Sequence, residues 1–253
     1  MRLSVYLALG DYFRFKPLKS IKGFWWFISD FNRYRRQRKN ENFEVNTSDL
    51  MPCLLDKTAS TPVDPTYFHQ MCWTAEKVFN LRPASHVDVG SHVFSLGIMS
   101  KLVPIEFVDI RPLNVSIPSL TFKAGTILDL PYRDNSLESV SSICVIEHIG
   151  LGRYGDPIDP FGSEKAAHEL ERITKVGGHL LITVPVDSVS KIYFNAHRAF
   201  TRQHLLSLFT KFELIEERYI YGNAIEEHYH PEKGFGTGLF LLKKTLETKV
   251  APD

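Results

Sequence analysis

The sequence predicts an α/β domain built on a mostly parallel sheet, and three observations between Ser85 and Pro185 carry that prediction. The apolar runs His86–Val89, Ile105–Asp109 and Ser142–Ile146 have the length and content of buried strands. Helical patterns separate them, as in βαβ units. Each run ends at or beside a carboxylate, at Asp88, Asp109 or Glu147, and in such sheets ligands bind outside the carboxyl ends of the strands. The stretch reads as a small-molecule site.

The chain has 253 residues, enough for one α/β domain and an appendage of some sixty residues. A net charge of +1 with 23% charged residues describes an ordinary soluble protein and gives no case for nucleic acid. Cys53, Cys72 and Cys144 form neither a CxxC pair nor a Cys/His ligand pattern, which predicts a reducing compartment. Cys72 and Cys144 are expected as small buried hydrophobes. No run approaches the roughly 18 apolar residues of a membrane span, and Met1–Gly10 lacks the features of a signal peptide. The expected location is cytoplasmic, with peripheral contact at the inner membrane surface as a further expectation.

That contact would come from the first element. Ile21, Phe24, Trp25, Ile28 and Phe31 recur at helical spacing from Pro17, and Arg33, Arg35, Arg36, Arg38 and Lys39 follow. Rings suit a headgroup boundary and cations suit anionic lipid, so residues 17–39 are either an interfacial anchor or a helix that packs on the main domain and ends in a solvated tail. A polar linker with Pro52, Pro62 and Pro65 follows, completing an appendage over residues 1–64. Tyr67, Phe68, Met71, Cys72, Ala75, Val78 and Phe79 then predict a helix ending near Leu81, which opens a domain over residues 65–246 with a tail at 247–253.

After the first strand, Gly90 permits a sharp turn, and a helix over roughly His92–Leu102 offers free amides. The G-x-G-x-x-G triplet of dinucleotide sites is absent, which argues against a nicotinamide dehydrogenase. Asp109, about 20 residues beyond Asp88, suits two ribose hydroxyls or else caps the turn at Arg111-Pro112. Leu120–Ala124 is the third strand, and a helix with Ser163 as N-cap runs to Lys175, where Gly177-Gly178 stop it. The fifth strand is His179–Val184.

The order Asp88-Val-Gly-Ser, Asp109, Leu130-Pro-Tyr-x-Asp-Asn-Ser-Leu, Ile146-Glu-His, Glu171-Arg-Ile-x-Lys-Val-Gly-Gly and a strand ending in Pro185 resembles the class I S-adenosylmethionine-dependent methyltransferases. Over Tyr67–Lys244 it is closest to a poorly characterised bacterial group (DUF268-like) found among surface-polysaccharide functions. The resemblance implies a Rossmann-like seven-stranded sheet with helices on both faces and an antiparallel last strand, drawn from Phe212–Ile220 and Gly236–Lys243. It implies S-adenosylmethionine as cofactor, with Asp88, Gly90 and Ser91 near its methionine part and Asp109 on the ribose. Thr126 and Ile127 would border the adenine, and Glu147 and His148 would stand at the pocket mouth. Three positions depart from the family: its Gly-x-Gly is reduced to Gly90-Ser-His, its adenine-facing acid is Thr126, and its Pro before Gly-Gly is Val176.

Methyl transfer needs alignment of the acceptor and, for a hydroxyl, removal of its proton, for which a near-neutral histidine is suited. His148 is the first candidate, its alternative role being to hold the next loop. His197 and Arg198, after the fifth strand, are expected to meet the acceptor or its anionic group, or the loop simply leads into a helix capped by Thr201. Gly150–Gly162 is too rich in turn formers for a helix and is either a substrate lid or a rigid loop, in which Arg153, Tyr154, Asp156 and Asp159 offer a sugar hydrogen bonds. Glu226–His230 brings two histidines without a third ligand, so no metal is expected. The expected function is O-methylation of a sugar or glycan precursor in surface-polysaccharide synthesis, and the alternative is a non-catalytic partner of the same fold in a membrane-surface assembly.

Overall fold

A computed structural model describes residues 17–37, 43 and 45–246 of the chain. The expected tail at 247–253, and Arg38 and Lys39 of the basic cluster, lie outside the described residues. Two compact units divide between Val63 and Asp64.

In the first unit, helix α1 spans Pro17–Arg36 and carries Arg33, Arg35 and Arg36 in its last turn. Its Gly23 passes so close to Leu54 that a Cβ would lie 2.3 Å from the Leu54 carbonyl oxygen. Lys57 pairs with Asp30 at 3.2 Å and sits 4.9 Å from the Trp26 ring. Between them the linker holds only one short helical turn, Thr47–Asp49.

The second unit opens with α2 (Pro65–Leu81), started by the Asp64 carboxylate accepting from the Tyr67 amide and by Pro65 at its first position. Strands β1 (His86–Val89), β2 (Ile105–Asp109) and β3 (Leu120–Ala124) fall where the apolar runs predict, with α3 (Val93–Met99) after β1. Beyond them come β4 (Leu137–Ile143), α4 (Gly162–Ile173), β5 (Thr174–Val186), the hairpin β6 (Lys191–Tyr193) and β7 (His197–Ala199), and α5 (Arg202–Ser207). Strands β8 (Phe212–Tyr221), β9 (Ala224–Glu226) and β10 (Gly236–Lys244) complete the chain.

The main sheet runs β3-β2-β1-β4-β5-β10-β8-β9, with parallel pairing through β5. Strand β10 then inserts antiparallel between β5 and β8. The sheet has eight strands where seven are expected, because the chain folds back after Tyr221 and three residues of β9 pair on the edge. Alternation along the strands feeds two cores. Leu180, Ile182 and Val184 face α4 and α5, whereas Leu181 faces the side of α2 and α3, with Trp73, Val78, Leu96 and Met99.

Three predicted boundaries shift, each for a local reason. Strand β4 begins and ends earlier than Ser142–Ile146, because Cys144 adopts a φ of 55° that no strand continues. Helix α4 starts from Phe161, not Ser163, whose hydroxyl instead donates to the Ile146 carbonyl at 2.6 Å. It also ends at Ile173, so Gly177-Gly178 lie inside β5 and do not stop the helix. Cys72 is exposed, on the outer side of α2.

The sequence motifs gain physical reasons here. Arg172 donates to the Leu130 and Tyr132 carbonyls at 2.9 and 2.7 Å and pairs with Asp134 and Glu169, so Glu171-Arg172-Ile173 clamps the Leu130–Leu137 segment. Lys244, buried at the end of β10, donates to the carbonyls of Thr174 and Glu171 and to Asn135 Oδ1 at 2.8 Å. A cation on the last carbonyls of α4 satisfies groups that the helix leaves open. Lys244→Met is expected to destabilise the domain by about 1–3 kcal/mol, because buried acceptors lose their donor. Urea unfolding checks this as a lower midpoint at unchanged slope.

Candidate functional site

A cavity of about 500 Å³ lies at the carboxyl ends of β1, β2 and β4. Strand ends supply Val89, Gly90, Val108, Asp109, Ile110 and Arg111, and the turn after β3 supplies Gly125–Leu128. Cys144, Val145, His148 and Ile149 follow β4, and Tyr154–Pro157 close the side. The walls are largely apolar with a few polar groups, as ligand sites generally are.

The turn after β1 is braced from behind. Asp88 accepts from the Ser91 amide at 3.0 Å, from the Ser91 hydroxyl at 2.7 Å and from Ser141, and Ser91 Oγ in turn accepts from the Ile143 amide at 2.9 Å. Burial pushes the Asp88 carboxyl up to about 6 against the pull of these bonds. His86, between Ser139 and Ser141 at 2.8 Å each, is pushed by burial down to about 3 and stays neutral. Asp88 and Ser91 therefore hold the turn from behind and are not among the residues that line the cavity, whereas the resemblance implies a place near a cofactor's methionine part. Gly90 does line it, at a φ of 75°, where a Cβ would stand 3.0 Å from a Val145 methyl.

Asp109 reaches the cavity with its carboxylate already engaged. Oδ1 accepts from the Arg111 amide and Nε at 2.7 and 3.0 Å, and Oδ2 accepts from Nη2 at 3.0 Å. Both readings of Asp109 meet at one residue, since it caps its own turn and faces the pocket. Arg111 is a site residue that the sequence reading missed, although its place two residues after a strand-end acid was the available signal. Thr126 and Ile127 line the opposite wall, and the Thr126 hydroxyl accepts from the Leu128 amide at 3.3 Å.

Beyond β4, His148 lies on the cavity wall and Glu147 is buried beside it. Nδ1 of His148 is 2.7 Å from the Ala196 carbonyl, which can only accept, so the ring proton sits on Nδ1 and Nε2 is unprotonated. Burial lowers the imidazole to about 4, and the Ala196 bond opposes that shift. Burial also raises the Glu147 carboxyl to about 8, and its Oε2 has no hydrogen-bond partner. Near neutrality the carboxyl holds a proton and the imidazole does not, with Glu147 Oε1 3.7 Å from His148 Nε2. Cys144 shares this region, its thiol 3.2 Å from Gln70 Oε1 and pushed up by burial.

The segment 150–162 is braced by its own hydrogen bonds along the side of the cavity. One Asp156 oxygen accepts from the amides of Gly150 and Gly152 at 2.6 and 3.4 Å, and the other from Tyr154 at 3.3 Å. Gly150, at a φ of 84°, passes where a Cβ would lie 2.0 Å from the Asp159 carbonyl oxygen. Arg198 is 7% exposed and donates to the carbonyls of Ile149, Asp159 and Pro160 at 2.6, 3.2 and 3.2 Å and to Ser163 Oγ at 3.2 Å. Both its terminal nitrogens are engaged by Ile149, the segment 150–162 and Ser163, whereas its expected role is contact with the substrate's anionic group. Tyr154 stacks between Arg111 and Arg153, each 5.1 Å from its ring. Arg153 also donates to the Ala196 carbonyl at 3.0 Å, and His197 is 6.4 Å from His148, ring to ring. Thus His148, His197, Arg153 and Tyr154 are brought together.

The DUF268 profile, described as a Caenorhabditis protein of unknown function, matches residues 129–228. No curated protein matches the sequence. Among solved structures the fold is similar to that of a protein assigned as a sarcosine dimethylglycine methyltransferase from Galdieria sulphuraria, at a TM-score of 0.52 and 15% identity over 70% of this chain and 86% of that one. It is likewise similar to the YcgJ protein of Bacillus subtilis, at a TM-score of 0.50 and 13% identity over 71% and 99%. At such identities the likeness is one of fold, and the fold is that of the class I methyltransferases.

Glu147 makes the stability of the domain depend on pH. The unfolded chain releases the proton near 4.5 and the folded chain near 8, so rising pH across that window favours unfolding. Glu147→Gln keeps the shape and cannot ionise. Its unfolding free energy is expected to match wild type near pH 4.5 and to exceed it increasingly toward pH 8, by at most about 1.4 kcal/mol per pH unit, with the melting temperature rising in the same sense. A difference that does not change with pH would contradict the buried, protonated carboxyl.

Proposed function

We propose that this chain is an S-adenosylmethionine-dependent methyltransferase that methylates a hydroxyl of a sugar or glycan precursor. The observation that carries the reading is the cavity at the carboxyl ends of β1, β2 and β4, with Gly90, Asp109 and His148 among its lining residues. The residues fit the cofactor. Gly90 leaves room for close approach after β1, Ile110, Ile127 and Leu128 offer apolar walls to an adenine, and Asp109 Oδ2 keeps acceptor capacity for a ribose hydroxyl. When bound, S-adenosylmethionine supplies an electrophilic methyl group on its sulfonium.

The chain's own groups then have two tasks. The cavity walls exclude water and hold the acceptor in line. His148 Nε2, unprotonated and fixed by the Ala196 carbonyl on the other nitrogen, accepts the proton of the hydroxyl. A non-catalytic protein of the same fold, serving as partner in a membrane-surface polysaccharide assembly, is the second reading. It is favoured by Arg111, which already engages both Asp109 oxygens, and by the inward-facing Asp88 and Ser91.

Calorimetric titration with S-adenosylmethionine and S-adenosylhomocysteine separates the readings. Micromolar binding weakened at least tenfold, about 1.4 kcal/mol, in Asp109→Ala is expected. No heat from either ligand with wild type would overturn cofactor binding and leave the second reading.

The first unit supports a peripheral membrane setting. No helix among the described residues is long and apolar enough to cross a bilayer. On α1, however, Leu18, Ile21, Phe24 and Trp25 are exposed, Trp25 by 69%, above a last turn with three arginines. Such a helix suits the boundary of an anionic bilayer. Sedimentation with phosphatidylglycerol vesicles and not with phosphatidylcholine vesicles is expected, and Ile21→Ser with Trp25→Ser is expected to abolish it. Equal recovery of wild type and variant would remove this contact.

A further inference from the structure

The hairpin β6–β7 stands apart from the main sheet and carries more exposed apolar surface than a solvated turn accounts for. Ile192, Tyr193 and Phe194 are exposed, Phe194 by 76%, and Phe235 from the segment before β10 is exposed by 50%. Two of them, Tyr193 and Phe235, cluster with His197. Tyr193 and His197 are 5.1 Å apart, Tyr193 and Phe235 5.9 Å, and His197 and Phe235 5.5 Å, ring to ring. His197 continues to His148 at 6.4 Å, and His148 to Tyr154 at 5.4 Å, so the strip of rings runs into the cavity. A contiguous exposed aromatic surface next to a cavity marks a binding site more often than a chance of packing.

The strip is built in place. Asp187, buried at the end of β5, accepts from the Tyr193 hydroxyl at 3.0 Å and pairs with Lys191 at 2.9 Å, while Tyr229 donates to its carbonyl. The tip is held from the other side, where the Ala196 carbonyl accepts from both His148 and Arg153. Arg153 has no carboxylate within ion-pairing distance among the described residues, and its charge lowers the proton affinity of both His148 and His197. An uncompensated guanidinium beside two neutral imidazoles, at the junction of cavity and strip, is a place for an anion.

We propose that the β6–β7 hairpin and Phe235 form the acceptor subsite, and that its ligand is an anionic pyranose. The apolar C–H face of the sugar ring lies on Phe235, the more exposed ring, with Tyr193 standing perpendicular beside it, and its carboxylate or phosphate meets Arg153. A neutral sugar would leave Arg153 without its partner, and an acyclic anion would leave the rings bare. The proposal rests on the methyltransferase reading only in naming the ligand an acceptor.

Ligand-observed NMR titration with methyl β-D-glucoside, methyl β-D-glucuronide and glucose 6-phosphate tests it, without cofactor and again with S-adenosylhomocysteine. At least one of the two anions is expected to bind about tenfold more tightly than the glucoside, and which one does separates carboxylate from phosphate. Arg153→Gln is expected to erase that preference and Arg153→Lys to restore part of it, while Phe235→Ala weakens all three ligands. No preference for an anion, no binding by any of the three, or a preference unchanged in Arg153→Gln overturns the subsite. Anionic sugars bound by a protein that takes no S-adenosylhomocysteine would overturn the methyltransferase reading alone.

Discussion

The buried polar seam between β1 and β4 is the constraint on which the rest of the site depends. His86, Ser139, Ser141, Asp88 and Ser91 are all buried, and each finds its partner within the set. Polar groups in a core cost free energy unless paired, so the seam admits one register of the two strands and one path for the turn after β1. That path brings Gly90 to the cavity in a conformation that glycine adopts without strain. It also sets β4 so that the chain must leave the sheet at Cys144, whose left-handed φ directs Val145, His148 and Ile149 to the cavity. A non-glycine residue in that conformation costs about 1–3 kcal/mol, and the surrounding core has to hold it there.

The second fixed point is Arg198. A guanidinium deep in protein is tolerated where its donors find partners, and here three carbonyls and one hydroxyl take up both terminal nitrogens. Through it β7 and the segment 150–162 become one body, and the Asp156 carboxylate tightens the same segment from within. The edge of the cavity that follows β4 is thereby set before any ligand arrives, which lowers the ordering cost of binding.

Much of this was legible in the sequence because it is local. The strands β1, β2 and β3 follow from short apolar runs, Thr201 caps α5 as its hydroxyl suggests, and the apolar face from Tyr67 to Phe79 marks α2. What was not legible depends on residues far apart in the chain. Asp88 reads like a ligand-facing acid until Ser141, 53 residues on, is found against it. Arg198 reads like an anion binder because its acceptors, Ile149, Asp159 and Pro160, are backbone carbonyls that no residue pattern announces. Gly177-Gly178 carry the usual signal of a helix end, yet α4 has already ended at Ile173, where the chain turns into β5 and Thr174 gives its hydroxyl to the Leu170 carbonyl. The ninth strand escaped notice because three residues give no periodicity.

Tyr154 joins the two halves of the cavity mouth. Its ring lies between Arg111, which belongs to the Asp109 side, and Arg153, which belongs to the hairpin side. Two like charges beside one ring repel each other, and the ring's electron-rich face offsets part of that repulsion. Asp109 takes up the charge of Arg111, so the imbalance remains at Arg153.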